Sequence, residues 1–264
     1  NNSWTTGEGT QHGYQASERT HDLMVLDGNF DTTDVAEPFI EVFSAGNSGF
    51  SGLTAPKEAK NLIVTAASLN GRAGNIDAIA GFSSRGPAVD GRVVPTITAP
   101  GQSIASARRL GAASQCNISI AGTSDHYALC SGTSMAAPHT AGAIVLVTEW
   151  WRSFHGGISP SPAMAKALLV NTAIDMGTAD IPNNNEGWGR INTTNIISPT
   201  TSFLYFDNQM VFTDTGQIMA MGVTVLDTSQ PFKVTLAWSD APGAIGANPA
   251  LVNNLDLTVE MGGE

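Results

Sequence analysis

Two short apolar runs, residues 39–44 and 62–67, dictate much of the architecture that this sequence can adopt. Each run is bounded by Gly, Asn or Pro and lacks the alternation of polar and apolar residues that marks a strand with one face in water. Such runs are typical of parallel strands buried on both faces. Residues 17–26, 133–154 and 162–172 predict helices, and the Ser-Pro-Ser-Pro before the last one suits a helix N-terminus. Alternating strands and helices predict an α/β fold with a doubly wound parallel sheet.

The pattern changes after Pro199. Short apolar runs now recur with turn residues between them and without helical segments, which indicates an all-β module. The runs are residues 203–206, 217–221, 222–226, 231–238 and 255–260. We therefore expect two domains, an α/β domain at 1–198 and the start of a β-sandwich at 199–264.

Composition excludes several classes of partner. The chain has 264 residues, of which 42% are hydrophobic and 13% charged, so it can bury a sizeable core. Its formal charge of -11 would repel a phosphate backbone, so we expect no nucleic-acid partner and no anionic membrane partner. No apolar run reaches the length of a transmembrane helix. The scarcity of Lys beside abundant Asn, Ser, Thr and Gly indicates a secreted or vesicular protein, which we expect to be monomeric.

Two cysteines, Cys116 and Cys130, lie on either side of a polar stretch. In an oxidising compartment they can close a short loop, which stabilises the fold by about 3 kcal/mol on the chain-entropy model. Two buried free thiols are the alternative. The exposed character of the intervening residues favours the disulfide.

The octapeptide GTSMAAPH at 132–139 precedes a long apolar segment and places Ser134 at the start of a predicted helix. Backbone N–H groups at a helix N-terminus have no partner in the helix, and the helix dipole is positive there. Negative charge that develops beside Ser134 is thus stabilised by the backbone. The small residues that follow let the helix run close under a sheet. A serine that acts only as a helix cap is the alternative interpretation.

The segment SAGNSG at 44–49 follows directly on a buried strand, so Asn47 is expected at the carboxyl end of the sheet, where α/β proteins place their sites. Asn before glycine is also ordinary turn chemistry. Beside Ser134, however, the Asn47 amide has a clear role. Together with the Ser134 N–H it supplies two hydrogen-bond donors for a developing oxyanion.

Together these motifs resemble the subtilisin-like serine peptidases, known as subtilases. The matching segments are NSW at 2–4, FSAGN at 43–47, FSSRGP at 82–87, TAPG at 98–101 and GTSMAAP at 132–138. GWGR at 187–190, VTLAWSDAP at 234–242 and LVNNLDL at 251–257 are similar to the subtilases that carry a jelly-roll-like β-barrel after the catalytic domain. The resemblance implies a serine endopeptidase with Ser134 as the nucleophile and Asn47 as the oxyanion donor.

The resemblance also implies two substrate-binding elements. Ser3, Trp4 and Thr5 are expected to form an edge strand that pairs with the substrate backbone. Ser44, Ala45 and Gly46 are expected to form a wall of the S1 pocket. Thr5 stands where the family usually has Gly, which narrows the floor of the groove. The long insert at 107–129 is expected to overhang the site or to bind an ion.

A serine hydroxyl needs a base, and the base needs an orienting carboxylate. Subtilases carry these in the order Asp, His, Ser, so both motifs are expected upstream of Asn1, and the α/β domain is expected to lack its N-terminal third. No histidine here has the expected context, and we interpret His139 as a packed or solvated residue. The triplet DTG at 214–216 mimics an Asp motif, but it is more typical of a hairpin turn.

No cofactor is expected for catalysis. The resemblance allows a structural Ca²⁺, for which the candidate oxygen ligands are Asp240, Asn253, Asn254 and Asp256, although loop polarity explains these residues as well. Protein or peptide substrates are the expected partners. Two alternatives stay open: a non-catalytic binding protein descended from a subtilase, and an enzyme of two associated chains that arises by nicking.

Overall fold

The computed structural model describes residues 1–31, 35–109, 116, 118–123, 125–208 and 211–261. The helices are α1 (Ala16–Leu26), α2 (Thr133–Phe154), α3 (Pro162–Thr172) and α4 (Thr194–Ile197), with a short 3-10 helix at Gly49–Ser51. The strands are β1 (Val42–Ser44), β2 (Ile63–Ser68), β3 (Ile97–Pro100), β4 (Ile104–Ala107), β5 (Ile118–Ser119) and β6 (Tyr127–Cys130). None of the helices in these ranges is long and apolar enough to cross a membrane.

The first three strands form a parallel sheet in the order β1-β2-β3. Two isolated β-bridges extend the sheet at its two edges. Asn2 pairs with Phe43 of β1, and Arg190 pairs with Thr98 of β3. The predicted parallel sheet and its two predicted strands are therefore confirmed. Strand β3 was not predicted, because its four residues end in Pro100 and form no long apolar run.

Side chains of successive strand residues point to opposite faces, and helices cover both faces. Val42 and Ile63 pack with residues of α2 and α3 in one buried cluster. Phe43 and Val64, the next residue in each strand, pack with Val25 of α1 in another. Both faces of the sheet are thus buried, which explains why the strands read as continuous apolar runs.

The predicted bounds of α2 and α3 match the structure, and α1 begins one residue earlier than predicted. Pro162 occupies the first turn of α3, and the Ser161 hydroxyl accepts a hydrogen bond from the Met164 N–H at 3.0 Å. Along α2, Ala136 and Ala137 are fully buried. These small side chains let α2 lie against all three strands of the parallel sheet.

The insert forms a second, antiparallel sheet in the order β4-β6-β5. The disulfide between Cys116 and Cys130 is present, which confirms the favoured interpretation of the two cysteines. Residues 110–115, 117 and 124 of the insert lie outside the described residues.

The structure does not show the expected all-β module. Among residues 199–208 and 211–261 no strand is formed, so the module stays a prediction. Strands need neighbouring strands for their backbone hydrogen bonds and a second layer for their apolar side chains. Here Leu204, Ile218 and Leu226 remain 70%, 82% and 94% exposed. The apolar side chains of these runs are thus left in contact with solvent.

One part of this segment instead packs against the α/β domain. The Asn61 side chain exchanges two hydrogen bonds with the Asp240 backbone, at 2.9 and 2.8 Å. The Gly243 N–H donates to the Tyr14 hydroxyl at 3.1 Å, and the Gly246 N–H donates to the Tyr14 carbonyl at 2.7 Å. These contacts attach the chain near residue 240 to the loop that precedes β2 and to the start of α1.

Candidate active site

The N-terminus of α2 meets the carboxyl ends of β1 and β3. The Gly132 N–H, just before α2, donates to the Gly101 carbonyl, just after β3, at 2.9 Å. A Cβ on Gly101 would lie 2.6 Å from Ala67 Cβ and 2.8 Å from the Gly132 carbonyl, so only glycine fits at this approach. The sheet and the helix are therefore held together directly below Ser134.

Asn47 follows β1, and Thr133 fixes the orientation of its side chain. Asn47 Oδ1 accepts hydrogen bonds from the Thr133 N–H and from the Thr133 hydroxyl, both at 2.9 Å. A backbone N–H can only donate, so the atom that faces it is the oxygen of the amide. The NH₂ group therefore points away from Thr133. Asn47 Nδ2 has no acceptor among the described residues.

Thr133 is the site residue that sequence reasoning missed. It is fully buried, and its hydroxyl also accepts the Gly46 N–H at 3.1 Å. One side chain thus joins the loop of Asn47 to the start of α2. The signal was available, since Thr133 lies directly before Ser134 in the motif, but nothing in the sequence shows which side chain it orients.

Ser134 is the second residue of α2 and is half-buried. Neither its hydroxyl nor its N–H has a hydrogen-bond partner among the described residues. A free N–H in the first turn of a helix can bind an anion, and the helix dipole adds to this. In the part of the chain that the structure describes, Asn47 Nδ2 and the Ser134 N–H are therefore two donors without a partner, and Thr133 links the residues that carry them.

The predicted substrate-binding residues fall into two groups. Ser44 and Ala45 are buried, and Gly46 is half-buried, so only a part of this predicted wall reaches the surface. The neighbouring segment containing Ser3, Trp4 and Thr5 is exposed and lies next to β1 through the pairing of Asn2.

A groove of about 450 Å³ opens beside Ser134 on the side of the antiparallel sheet. The disulfide and strands β4 and β6 form one wall, and the first turns of α2 form the other. The insert thus borders the site, as the sequence predicts. The lining residues of α2 are Ser134, Met135, Pro138 and His139.

None of the five histidines, all of which lie in the described ranges, hydrogen-bonds to Ser134. His139 Nδ1 donates to the Met135 carbonyl at 2.8 Å. His21 pairs with Glu41 at 2.9 Å in the interior, and His155 stacks on Trp151 at the other end of α2. Asp214 lies in an exposed turn, where its carboxylate accepts the N–H of Thr215. The structure therefore supports the solvated interpretation of His139 and the turn interpretation of Asp214.

Asp240, one of the candidate Ca²⁺ ligands, is engaged in other contacts. Its carboxylate accepts the N–H groups of Val252 and Asn253, both at 2.9 Å, and Lys60 Nζ lies 3.5 Å from it. The Ca²⁺ site stays a prediction. In the described part of the chain, the group of carboxylates that could hold a metal ion is Asp175, Asp180 and Glu186, whose ligand atoms lie within 4.8 Å of one another.

Glu186 is the buried member of that group. Burial raises its pKa, as do Asp175 and Asp180, whereas hydrogen bonds from Asn183 and Met176 oppose the rise. Arg85 lines the same pocket.

The fold and this geometry define an α/β protein with a serine at the N-terminus of α2 and an oriented amide in the loop after β1. The family model described as "Subtilase family" matches residues 1–189. The chain belongs to the subtilase family, which confirms the resemblance read from its motifs.

Several curated proteins are similar to parts of the chain. "Serine protease/ABC transporter B family protein tagA" of Dictyostelium discoideum is 33% identical over 199 residues, which cover 67% of this chain and 11% of that protein. "Serine protease AprX" of Bacillus subtilis is 36% identical over 110 residues, or 40% of this chain and 25% of that protein. The chain spans about a tenth of the length of its Dictyostelium relatives, at 11%, 13% and 12%.

Among solved structures, "Crystal Structure of a Lanthipeptide Protease" superposes with a TM-score of 0.47 at 21% identity, covering 60% of this chain and 50% of that one.

Proposed function

We propose that this chain forms part of a serine endopeptidase that hydrolyses peptide bonds in proteins through an acyl-enzyme on Ser134. The observation that carries the proposal is the double hydrogen bond from Thr133 to Asn47 Oδ1. It turns the Asn47 NH₂ away from Thr133, which leaves this donor available for the carbonyl oxygen of the substrate that acquires negative charge.

The proposed reaction has two halves. Ser134 Oγ attacks the scissile carbonyl while a base takes its proton, and the resulting oxyanion accepts hydrogen bonds from Asn47 Nδ2 and the Ser134 N–H. The intermediate collapses, and the amine leaves with a proton from the conjugate acid of the base. Water then hydrolyses the ester by the same steps. Since the five histidines have other surroundings, we propose that the His and the Asp of the triad come from a segment outside these 264 residues.

Extended peptides and unfolded proteins are the proposed substrates. The exposed segment at Ser3 to Thr5 and the groove beside Ser134 are proposed to hold different parts of one extended chain. We further propose a secreted or vesicular location, which agrees with the disulfide and with the name of one relative, "Minor extracellular protease Vpr" of Bacillus subtilis.

The second candidate is a binding protein that keeps the groove without the chemistry. The surroundings of the histidines favour it, because a serine without a base is a poor nucleophile. In an enzyme of two associated chains, the second chain would supply the base, so the surroundings of the histidines would also be consistent with activity. Purification of the native protein separates the last two possibilities, because a nicked enzyme retains a second, smaller chain.

Fluorophosphonate labelling tests the proposal. In the full-length protein we expect the probe to label Ser134, and Ser134→Ala to abolish both labelling and peptide hydrolysis. The expected fall in kcat is on the order of 10⁶, a magnitude taken from removal of the corresponding serine in subtilisin rather than from this structure.

The matched control is Ser153→Ala, an exposed serine near the other end of α2. It should label as the wild type does. Labelling that survives Ser134→Ala would contradict the assignment of the nucleophile. A full-length protein that binds peptides but takes no label would favour the binding protein.

A further inference from the structure

In the N-terminal segment, residues 2–6, the backbone of every second residue is hydrogen-bonded to the rest of the chain. The Asn2 N–H donates to the Val42 carbonyl at 2.8 Å, and its carbonyl accepts the Ser44 N–H at 3.0 Å. The Trp4 carbonyl accepts a hydrogen bond from Lys57 Nζ at 2.5 Å. The Thr6 N–H donates to the Ala55 carbonyl at 3.3 Å. The bonded backbone groups of residues 2, 4 and 6 therefore face the rest of the α/β domain.

Ser3 and Thr5 show the opposite behaviour. Both residues are exposed, and their backbone N–H and C=O groups have no hydrogen-bond partner among the described residues. In an extended chain, residues one apart direct their backbone groups to opposite sides. Holding the even-numbered residues thus leaves two outward-facing pairs of donors and acceptors, to which another strand can be added.

Lys57 is the unusual component of this arrangement. Its side chain reaches Trp4 from inside the fold, and the residue is only 1% exposed. The ammonium donates to the Trp4 carbonyl, to Thr54 Oγ1 at 2.9 Å and to the Ala55 carbonyl at 3.2 Å, which uses all three of its protons. The Phe43 ring lies 5.7 Å from Nζ and adds a cation–π contact.

Keeping this charge inside the fold is unfavourable by itself. Burial lowers the pKa of Lys57 to about 8, and the nearby Glu18 on α1 partly opposes that change. An apolar side chain of the same length would fill the space without the desolvation penalty. The ammonium is therefore best explained by the carbonyl groups that it holds in place.

The same ammonium is linked to the loop of Asn47. Thr54 Oγ1, which Lys57 contacts, would lie 2.8 Å from a Cβ on Gly46, so the Thr54 side chain packs directly against the Gly46 backbone. The Gly46 N–H in turn donates to the hydroxyl of Thr133, which orients Asn47. Lys57 thus lies between the exposed segment and the loop beside the nucleophile.

We propose that Lys57 is a positioning residue for substrate binding: it fixes Trp4 so that Ser3 and Thr5 present their backbone groups to an extended substrate. This inference rests on the proposed peptidase function. It implies that the enzyme selects extended polypeptides, which reach past the scissile residue to this segment, over small esters and amides, which do not.

The test compares two substrates in the full-length protein and in Lys57→Met. One is a peptide that extends four residues on the acyl side of the scissile bond, and the other is an activated ester of a single amino acid. We expect KM for the long peptide to rise by roughly tenfold, as for loss of one or two backbone hydrogen bonds, with kcat little changed. The kinetics of the short ester should stay within about twofold.

Lys57→Arg and Lys233→Met complete the set. Arginine keeps the charge and the donors, so it should restore most of the affinity for the long peptide. Lys233 is exposed, and its replacement should affect neither substrate. If Lys57→Met lowers kcat/KM equally for both substrates, or changes neither, the positioning role is wrong.

A measurement on the wild type guards against a variant that fails to fold. N-methylation of the acyl-side amides, one at a time, should raise KM where the substrate pairs with Ser3 or Thr5 and nowhere else. Uniform tolerance of N-methylation would overturn the inference. If the wild type cleaves neither the long peptide nor the ester, the proposed function itself fails; if it cleaves both, only the role of Lys57 is in question.

Discussion

Asn47→Ala should lower kcat for peptide hydrolysis by about 10² to 10³ with little change in KM, a range that comes from the equivalent donor of subtilisin itself rather than from this structure. The physical reason is that the Asn47 NH₂ meets the substrate oxygen strongly only when that oxygen carries negative charge. Its interaction therefore stabilises the transition state more than the bound substrate. Steady-state kinetics of the full-length enzyme on a peptide substrate measure both constants.

Two checks make this result interpretable. Asn195→Ala, an exposed asparagine on α4, should leave kcat within about twofold of wild type, as surface changes usually do. The unfolding temperature of Asn47→Ala should also be measured, because the Thr133 N–H and hydroxyl lose their shared acceptor. An unchanged kcat in a variant that still takes the fluorophosphonate label would exclude Asn47 as an oxyanion donor.

Asp22→Ala should reduce the free energy of unfolding by about 3 to 5 kcal/mol, because it removes one partner of a buried ion pair. Asp22 is fully buried and accepts hydrogen bonds from the Tyr14 hydroxyl at 2.7 Å and the Asn61 N–H at 2.8 Å. Lys60 Nζ lies 2.9 Å from the same carboxylate. Without Asp22, the buried Lys60 ammonium keeps one carboxylate within 4 Å among the described residues, that of Asp240 at 3.5 Å.

Urea unfolding of the wild type and of Asp22→Ala measures this loss of unfolding free energy. The matched control is Asp77→Ala, which removes the partner of Arg190 from a partly exposed ion pair of 2.7 Å. Solvent screens such a pair, so the control should lose less than about 1 kcal/mol. Equal losses in the two variants would contradict the view that Asp22 is the buried anchor for this part of the chain.

Tyr14 belongs to the same buried network, and its pKa is raised there. Burial is the larger cause, and the hydrogen bond to Asp22 adds to it. The Tyr14 hydroxyl also accepts the Gly243 N–H, so the network reaches from α1 to the segment after Pro199. The sequence contains no sign of this connection, because its members lie far apart in the chain.

Local sequence patterns were sufficient to predict the helices and strands that form the core. Helices α2 and α3 begin and end where the motif, the Ser-Pro pair and the apolar spacing predict. Strands β1 and β2 read as apolar runs because both faces of the sheet are covered. Ser134 and Asn47 were predicted from the same logic, since carboxyl ends of parallel strands and helix N-termini meet at one edge of the sheet.

Other features depend on contacts between distant segments. The antiparallel sheet of the insert is short and mostly exposed, so no apolar periodicity marks it. Thr133 and Lys57 act by hydrogen bonds to residues brought close only by folding. After Pro199 the sequence predicts a β module that the structure does not show, because strand-like apolar runs are present but have no pairing strands among the described residues.

A structure of the phosphonylated full-length protein shows whether Ser134 and Asn47 act on the same oxygen atom. We expect a phosphonyl group on Ser134 Oγ, with its oxygen about 2.7 to 3.1 Å from both Asn47 Nδ2 and the Ser134 N–H nitrogen. A phosphonyl oxygen turned away from Asn47, or an adduct on a different residue, would contradict it.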